Sequence, residues 1–523
     1  MTAGRRVRRD AAASAPGDGD QLVYASGRGR WVLAATVLGS AIASIDATVV
    51  GIALPAIGRD FGAGLATLQW VVTAYTLTLA SLLLVGGALG DRYGRRRVFL
   101  SGVVWFALAS ALCGVAPDPA VLIAARALQG MGAALLTPGS LAILEASFRP
   151  EDRAKAIGAW SGLSGVATAI GPFLGGWLVQ AVSWRLIFAI NLPIAALVVT
   201  VAQRHVPETR DPDAASSRID VSGALLITAG LAALTYGLID GPAAGWSSTP
   251  VRVSLVGAAL LLVGFIVRER RAAAPILPLR LFGSAQFTAA NIVTFVLYGA
   301  LGGVLFLLPI QLQQVSSYSA LKAGVSLLPV TVLMLALSAR SGALAARIGP
   351  RLQMSLGPVV VGAGLALLTR VGHTGDYLTE VLPAVLVFGL GLAATVAPLT
   401  TTALGAAPAT YAGMASAVNN DVARAAGLMA VAVLPAAAGI TEGAYLHPGQ
   451  FSSGFHTACL ISAALCVLGG LLAAVMIRNP HPSAEAAPVA APPGRADHFC
   501  GVEAPPPGCP PIAAADSDRQ PPA

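Results

Sequence analysis

Long apolar runs alternate with short polar segments along most of the chain. A helix needs roughly 20 apolar residues to cross a hydrocarbon core of about 30 Å, and it satisfies its own backbone hydrogen bonds there. The pattern predicts fourteen spanning helices, at residues 31–57, 68–89, 98–115, 120–144, 156–182, 184–201, 221–239, 249–267, 287–310, 320–339, 352–368, 381–404, 414–440 and 457–477. The first run is too long, and follows too long a polar stretch, to be a cleaved signal peptide.

Composition supports the same fold class. Of the 523 residues, 55% are apolar and only 11% are charged, a balance that does not suit a water-exposed surface. The expected fold is therefore an all-α polytopic membrane protein with the lipid bilayer as its surroundings.

Lysines and arginines are distributed unevenly between the segments that join the helices. Twenty-six of the 33 fall on the face of the chain termini, five fall on the other face, and Arg126 and Arg424 lie inside predicted spans. Positive residues collect on the cytoplasmic side, so we expect a multi-pass plasma-membrane protein with both termini in the cytoplasm. The net charge of +8 then reflects topology and anionic lipid, and predicts no nucleic-acid partner.

The two ends of the chain lack the apolar periodicity that a fold requires. Residues 1–30 contain four arginines between positions 5 and 9, and residues 479–523 are rich in proline and alanine. We expect a disordered basic cytoplasmic arm and a disordered cytoplasmic tail, with SH3-type recognition of the tail as a weaker alternative. The five cysteines, three in spans and two in the tail, predict neither disulfides nor a metal site.

An internal repeat relates the two ends of the membrane region. The residues at 87–96 return at 342–351 with matching Gly, Ala, Leu, Arg, Gly and Arg positions, and Pro-Ala-Val-Leu at 119–122 returns at 383–386. Helices 1–6 and 9–14 are therefore predicted to be two copies in one membrane orientation.

The repeat divides the chain into domains. We expect six-helix bundles at 31–203 and 285–478, and a linker at 204–284 that contains two extra helices. Two parallel halves imply a substrate site between them near the midplane, with access that alternates between the faces. A channel or receptor would not require this duplication, although the duplication excludes neither.

A polar signature joins helices 2 and 3. It reads Gly87-x-Leu89-x-Asp91-Arg92-x-Gly94-Arg95-Arg96. This string resembles the loop signature of the major facilitator superfamily, and the resemblance implies the fold of that family and a loop that gates access. On physical grounds, Asp91 suits the positive N-terminal end of a packed helix and the arginines suit an anionic membrane face. The alternative for the arginines is a topogenic role alone.

Helix 1 contains an aspartate in apolar surroundings, in the string Ile45-Asp46-Ala47-Thr48-Val49-Val50. The string resembles the first-helix motif of the fourteen-helix drug/proton antiporters, of the methylenomycin-resistance type, which implies that Asp46 carries the proton. An unpaired intramembrane carboxylate is costly, so a functional role is also the physical default. Asp46 lies fifteen residues beyond Trp31, the first residue of the span. That is about 22 Å along a helix from the cytoplasmic end, which leaves Asp46 in the outer half of the span.

Helix 4 contains an arginine at a matching depth, in the string Arg126-Ala127-Leu128-Gln129-Gly130-Met131-Gly132. The string resembles the fourth-helix arginine motif of the same antiporters. Arg126 lies about 9 Å below the outer edge, so we expect it to couple to Asp46 directly or through water. Protonation of Asp46 would then change the local charge and favour one conformation. The alternative is a permanent structural ion pair.

Helix 5 contains small residues around a proline, at Gly171, Pro172, Gly175 and Gly176. This string resembles the fifth-helix motif of exporters, although Ala167 stands where the motif has glycine, and the resemblance implies export rather than uptake. Proline removes a backbone hydrogen bond and the glycines permit a kink or close packing against the other half. Ordinary small-residue packing is the alternative.

Helix 13 places polar groups inside an apolar span, at Asn419, Asn420, Asp421 and Arg424. The string resembles helix 13 of the methylenomycin-type exporters but departs at Asp421, where a small apolar residue is expected. We interpret these residues as part of the substrate cavity, with Gln313 of helix 9 as a further candidate. Asp421 and Arg424 share a helix face and can pair, so an internal ion pair is the alternative.

Enzymatic functions have no support in the motifs. The chain has two lysines, neither preceded by glycine, so it contains no nucleotide-binding loop of the ATPase type, and no metal or cofactor site is predicted. We therefore expect a monomeric, proton-coupled antiporter that exports amphipathic or cationic small molecules such as antibiotics. Export of an endogenous metabolite or a self-made antibiotic is an alternative, and a ligand sensor without net flux is another.

Overall fold

A computed structural model describes residues 21–211, 220–272, 275–408 and 411–479. Within these residues, fourteen helices are long and apolar enough to cross a membrane, which confirms the predicted number and fold class. We number them α1 Gly27–Phe61, α2 Leu65–Tyr93, α3 Arg95–Gly114, α4 Pro119–Ser147, α5 Pro150–Ala181, α6 Leu186–His205, α7 Val221–Ala244, α8 Thr249–Arg271, α9 Ala285–Val315, α10 Ala320–Ile348, α11 Pro350–Arg370, α12 Tyr377–Gly405, α13 Gly413–Ala437 and α14 Pro448–Met476.

The start of α1 differs from the sequence-based prediction. The helix begins at Gly27 rather than at residue 31, because the Ser26 hydroxyl accepts a hydrogen bond from the Gly29 N–H at 3.0 Å and caps the first turn. The backbone N–H of Leu22 also donates to the Ser147 carbonyl at 2.8 Å. Part of the predicted arm is thus ordered, while residues 1–20 and 480–523 lie outside the described residues.

The packing of the first six helices is repeated by the last six. In the first bundle α1 packs against α5, α2 and α3 pack against α4, and α6 packs against α1 and α3. Eight helices later, α9 packs against α13, α10 and α11 pack against α12, and α14 packs against α9 and α11. The two bundles have the same internal architecture, as the sequence repeat predicted.

The two bundles meet mainly through α5 with α10 and α2 with α13. Smaller contacts join α1 to α9 and to the start of α10. The inserted helix α7 packs against α2 and α13, so it lies beside the line of contact between these two helices, which we call the α2–α13 seam. Helix α8 packs mainly against α7. The extra helices therefore flank the interface without separating the bundles.

The two membrane faces differ in how closely the bundles approach. We call the face with the ends Tyr93 and Arg95 the arginine-rich face, and the face with Phe61 and Leu65 the arginine-poor face. Contacts between the bundles concentrate toward the arginine-poor face: Gln69 Nε2 donates to the Val431 carbonyl at 2.6 Å, and a Cβ added at Gly176 would lie 2.5 Å from the Ala320 carbonyl oxygen. The bundles are closed on that side.

Candidate functional site

A cavity of about 770 Å³ lies between the bundles. It reaches the arginine-rich face, where Asp91, Arg95 and Glu145 line its mouth. At its deep end, near the middle of the helices, the wall is lined by residues from four of them: Thr48 of α1, Tyr75 of α2, Thr168 of α5 and Arg424 of α13. The structure is therefore open to the arginine-rich face and closed to the other, and both bundles contribute to the wall.

Asp46 and Arg126 form a buried ion pair next to the deep end of this cavity. Each side chain is 1% exposed, and Arg126 Nη1 lies 2.5 Å from Asp46 Oδ2. The equal depth predicted from the sequence thus corresponds to direct contact between α1 and α4. A buried pair is stable only when its remaining donors and acceptors are also satisfied.

A shell of polar groups satisfies the pair. Gln129 lies one turn beyond Arg126 and bonds to both charges: its Nε2 donates to Asp46 Oδ1 at 2.8 Å, and its Oε1 accepts from Arg126 Nη1 at 2.6 Å. Ser110 of α3 accepts from Gln129 at 3.2 Å and from Asn191 of α6 at 3.0 Å. The network therefore joins four helices of the first bundle around one carboxylate.

Sequence reasoning did not assign functional roles to Gln129, Ser110 or Asn191. Gln129 could have been found, because it lies three residues from Arg126 and so shares its helix face. Asn191 could have been suspected as a polar residue at the start of an apolar stretch. Ser110 gave no signal, since a lone serine in a spanning helix usually bonds its own backbone.

Tyr75 separates the ion pair from the cavity. Its ring lies beneath the Arg126 guanidinium, with 4.3 Å between Arg126 Cζ and the ring centroid, and the same residue lines the cavity. Arg126 Nε also donates to the Val71 carbonyl at 3.1 Å, which ties the arginine to α2. A change in the charge of Asp46 would therefore alter the contacts of Arg126 with α1, α2 and α4. Through Tyr75 it would also affect the cavity wall.

The predicted gating loop lies at the mouth of the cavity. Gly87, Asp91 and Arg95 line it. The Asp91 carboxylate, which suits a helix N-terminus, is paired here with Arg95 at 2.8 Å. Arg92 lies over the ring of Tyr93, with 5.3 Å from its Cζ to the ring centroid.

The segment after α6 holds the other end of this loop. Gly94 has φ of +111°, and a Cβ there would lie 2.6 Å from a carboxylate oxygen of Glu208, so glycine is required. That carboxylate accepts from the Arg96 N–H at 3.1 Å and lies 3.7 Å from the Arg96 guanidinium. The loop is thus held by the segment after α6 on one side, while Arg95 on the cavity side pairs with Asp91 and contacts the Ala142 carbonyl of α4.

A second carboxylate at the mouth is also held by an arginine. Asp220 lies 3.2 Å from Arg268 and caps the first turn of α7 through the Gly223 N–H at 2.9 Å. Burial works against the charge of Asp220, but hydrogen bonds from Ser222 and Gly223 and the nearby Arg268 outweigh burial and lower its carboxyl pKa. This carboxylate is therefore ionised at neutral pH.

The structure divides the predicted patch on α13. Asn420 and Arg424 line the cavity, whereas Asn419 is buried against α9 and donates to Asn291 Oδ1 at 3.1 Å and Thr294 Oγ1 at 2.9 Å. Asp421 does not line the cavity. Within the described residues no ion pair joins Asp421 to Arg424, and the Asp421 Oδ1 and Arg424 Nε atoms are buried without hydrogen-bond partners. The cavity interpretation therefore agrees with the positions of Asn420 and Arg424, is wrong for Asn419 and Asp421, and the alternative of an Asp421–Arg424 ion pair is not what the described residues show.

Gln313 also lies away from the cavity. It belongs to a π-helical turn, Gln311–Val315, and its Nε2 donates to the Ile52 carbonyl of α1 at 2.9 Å. Its contribution is to hold the bundles together on the arginine-poor side. The prediction that Gln313 lines the cavity is wrong because the π turn directs it toward the first bundle.

The small residues of α5 serve two contacts. Gly171 and Gly175 face Thr48 and Val49 of α1 within the first bundle. Gly176 faces the Ala320 carbonyl, and the Pro172 carbonyl faces Gly324, both across the interface. The motif thus allows α5 to approach α1 on one side and α10 on the other.

Two parallel six-helix bundles around a central cavity that opens toward one face have the architecture of a membrane carrier. The sequence places it more narrowly, because residues 36–432 match the family model of the Major Facilitator Superfamily. The chain belongs to that superfamily and is a transporter, not an enzyme.

Known relatives are resistance and export proteins. The chain is 37% identical over 410 residues to the tetracenomycin C resistance and export protein of Streptomyces glaucescens, covering 78% of this chain and 76% of that protein. It is 38% identical over 413 residues to the methylenomycin A resistance protein of Bacillus subtilis, covering 78% and 87%. Both relatives support the predicted drug-efflux family.

Solved structures agree on the fold. A D-xylose-proton symporter superposes with a TM-score of 0.60 at 15% sequence identity, covering 86% of this chain and 98% of that one. At this identity the likeness concerns architecture alone, and it places the described helices in the same overall arrangement.

Proposed function

We propose that the protein is a proton-coupled antiporter that exports amphipathic small molecules by alternating access. The observation that carries the proposal is the Asp46–Arg126 pair, which lies inside the first bundle and behind the cavity wall. In this proposal the arginine-rich face is cytoplasmic, the structure is the state that receives substrate, and Asp46 takes up a proton from the opposite side.

The chemistry of coupling follows from the network around Asp46. Protonation removes the negative charge that Arg126 faces, so the guanidinium is left with Gln129 and the Val71 carbonyl. A buried charge without its partner is costly, which favours a rearrangement of α1, α2 and α4. Because α1 and α2 both contact the second bundle, the rearrangement can change which face is open.

The cavity also bears on the substrate. Its deep wall combines hydroxyl and aromatic groups with Arg424, so an amphipathic molecule that presents a hydrogen-bond acceptor fits better than a permanent cation. The mouth carries the carboxylates Asp91 and Glu145, which can attract cationic groups at entry. Antibiotic export and export of an endogenous metabolite are equally compatible with these walls.

Substrate-driven proton release from inverted membrane vesicles tests the proposal. The parent should release protons when members of a panel of amphipathic dyes and antibiotics are added, and Asp46→Asn should reduce that release at least tenfold, since the amide cannot take up a proton. Asp240→Asn is the matched control, because Asp240 is another carboxylate within a span but lies in the inserted helix α7. Coupled flux that survives Asp46→Asn would refute the assignment of Asp46 as the proton carrier.

A further inference from the structure

The N-terminus of α2 receives its cap from the other bundle. Gly64 precedes the helix and has no side chain with which to cap it. Glu442, in the segment between α13 and α14, fills this role: its Oε2 accepts from the Leu65 N–H at 3.0 Å and its Oε1 accepts from the Ala66 N–H at 2.9 Å. One carboxylate therefore bonds two backbone groups that lie 377 and 376 residues away in the sequence.

The electrostatics of this contact favour the carboxylate. The first N–H groups of a helix are unpaired and carry partial positive charge, so an anion there is stabilised by both hydrogen bonding and the helix dipole. The segment that carries Glu442 is itself ordered: the Thr441 hydroxyl accepts from the Ala444 N–H at 3.3 Å, and Tyr445 accepts from Gln314 Nε2 at 3.0 Å. The position of the carboxylate is thus set by the second bundle.

We propose that Glu442 is the latch that holds the arginine-poor face closed and that it must leave the N-terminus of α2 whenever this face opens. The inference rests on the alternating opening proposed above, but not on proton coupling or on the substrate. The latch lies at one end of the α2–α13 seam. At the other end of the seam, Asp91 lines the open mouth together with Gly413 at the start of α13.

The two ends of this seam are therefore in opposite states. On the arginine-poor face, a carboxylate of the second bundle caps a helix of the first bundle. On the arginine-rich face, the carboxylate of Asp91 is paired with Arg95 of its own bundle. Opening the arginine-poor face would release Glu442 while bringing Asp91 toward α13.

The released carboxylate would not be left in apolar surroundings. Glu442 borders a hollow of about 250 Å³ that is also lined by Gln69 of α2 and by Pro242 of α7. Water can hydrate the carboxylate there, so breaking the contact does not leave an uncompensated buried charge. Such a contact can hold one state and still be broken in each cycle.

Two variants from opposite bundles test the latch. Glu442→Gln keeps the shape of the side chain but loses its charge and one of its two acceptor oxygens. Gly64→Ala leaves Glu442 intact but displaces it, because a Cβ at position 64 would overlap the carboxylate. The matched control is Glu380→Gln, since Glu380 accepts from the Gly372 N–H at 3.2 Å within the second bundle.

The readout is the distance across the arginine-poor face, measured by electron spin resonance in lipid nanodiscs. Labels are placed at Val182 and Leu446, which are 69% and 72% exposed and lie in different bundles, in a background with Cys500 and Cys509 replaced by serine. Glu442→Gln and Gly64→Ala should each raise the ratio of long to short distances about tenfold, as expected for the loss of one charged hydrogen bond. Glu380→Gln should leave the ratio unchanged.

A Glu442→Gln distribution that matches the parent would overturn the proposal, and so would an equal shift in Glu380→Gln. Failure of Glu442→Gln to fold would leave Gly64→Ala to decide, because the same distances are measured. The readout needs neither substrate nor a proton gradient. Its outcome is therefore separate from that of the Asp46→Asn experiment.

Discussion

At the scale of single residues, the first bundle and the second bundle differ in how their buried charges are satisfied. Asp46 and Arg126 are paired and surrounded by donors and acceptors, whereas Arg424 of the second bundle is turned toward the cavity with its Nε unpartnered within the described residues. A fully satisfied pair is suited to sensing a proton, because one added proton unbalances it. A partly unsatisfied arginine on a cavity wall is suited to bonding a ligand.

The environment of Arg424 leads to a prediction about substrate choice. We expect Arg424→Gln to reduce export of a carboxylate-bearing dye about tenfold more than export of its methyl ester, because the glutamine loses the charged hydrogen bond. Arg424→Lys should retain part of the preference, since it keeps the charge without the planar fork. Efflux from loaded vesicles measures both rates, and equal losses for acid and ester would show that Arg424 does not bind the substrate's acidic group.

The sequence predicts some properties of single site residues better than others. Charged residues inside apolar spans are easy to recognise in the sequence. Counting residues along the predicted helices placed Asp46 and Arg126 at the same depth. Rotation about the helix axis is harder to read: Asn419 and Asn420 are neighbours in sequence, yet one bonds α9 and the other lines the cavity. The three glutamines of the π turn Gln311–Val315 are visible in the sequence, but the turn itself, which sets the direction of Gln313, is not.

At the scale of helices, α5 and α10 cross at short range on the arginine-poor side. The crossing depends on Gly176 facing the Ala320 carbonyl and on Gly324 facing the Pro172 carbonyl. The two small residues come from different helices and remove side-chain volume at the same crossing. The fifth-helix motif read from sequence accounts for one half of this contact, while its partner on α10 becomes visible only when the helices are packed.

Gly324→Ala tests whether this close approach is needed. The added Cβ would overlap the Pro172 carbonyl, so we expect the variant to close poorly on the arginine-poor face and to lose at least tenfold in transport rate. Gly165→Ala is the matched control on α5, since a Cβ there would meet Leu335 at an ordinary 3.6 Å. Thermal unfolding in detergent should be similar for both variants; a Gly324→Ala protein that transports normally would show that the crossing can separate without cost.

At the scale of the whole molecule, the protein consists of two bundles that share one packing pattern but differ in their charged residues, with the cavity between them. The helices α1–α6 and α9–α14 share one packing pattern, and this fold could be predicted because both the length of the apolar runs and the sequence repeat are visible in the chain. The direction in which the cavity opens could not be predicted, since the sequence is the same in every state. It follows from contacts such as Gln69 with Val431 and Glu442 with Leu65.

The orientation of the molecule in the membrane decides what the open cavity means. If the arginine-rich face is cytoplasmic, the structure is ready to collect substrate from the cell interior; if it is external, the same structure would be an exit state. The uneven distribution of arginine and lysine favours the first arrangement. Single cysteines at Val182 and Leu446 report on the arginine-poor face, and cysteines at Tyr93 and Leu352, which are 52% and 53% exposed, report on the other.

We expect a membrane-impermeant maleimide to label Val182→Cys and Leu446→Cys in intact cells, and to label Tyr93→Cys and Leu352→Cys only after the membrane is opened. The comparison uses the background without Cys500 and Cys509, so each protein has one exposed thiol of known position. Because fourteen crossings place both ends of the helical region on one face, all four sites must give a consistent answer. The reverse pattern would place the mouth outside the cell, so this structure would be the exit state and would contradict the proposal that it is the state that receives substrate from the cytoplasm.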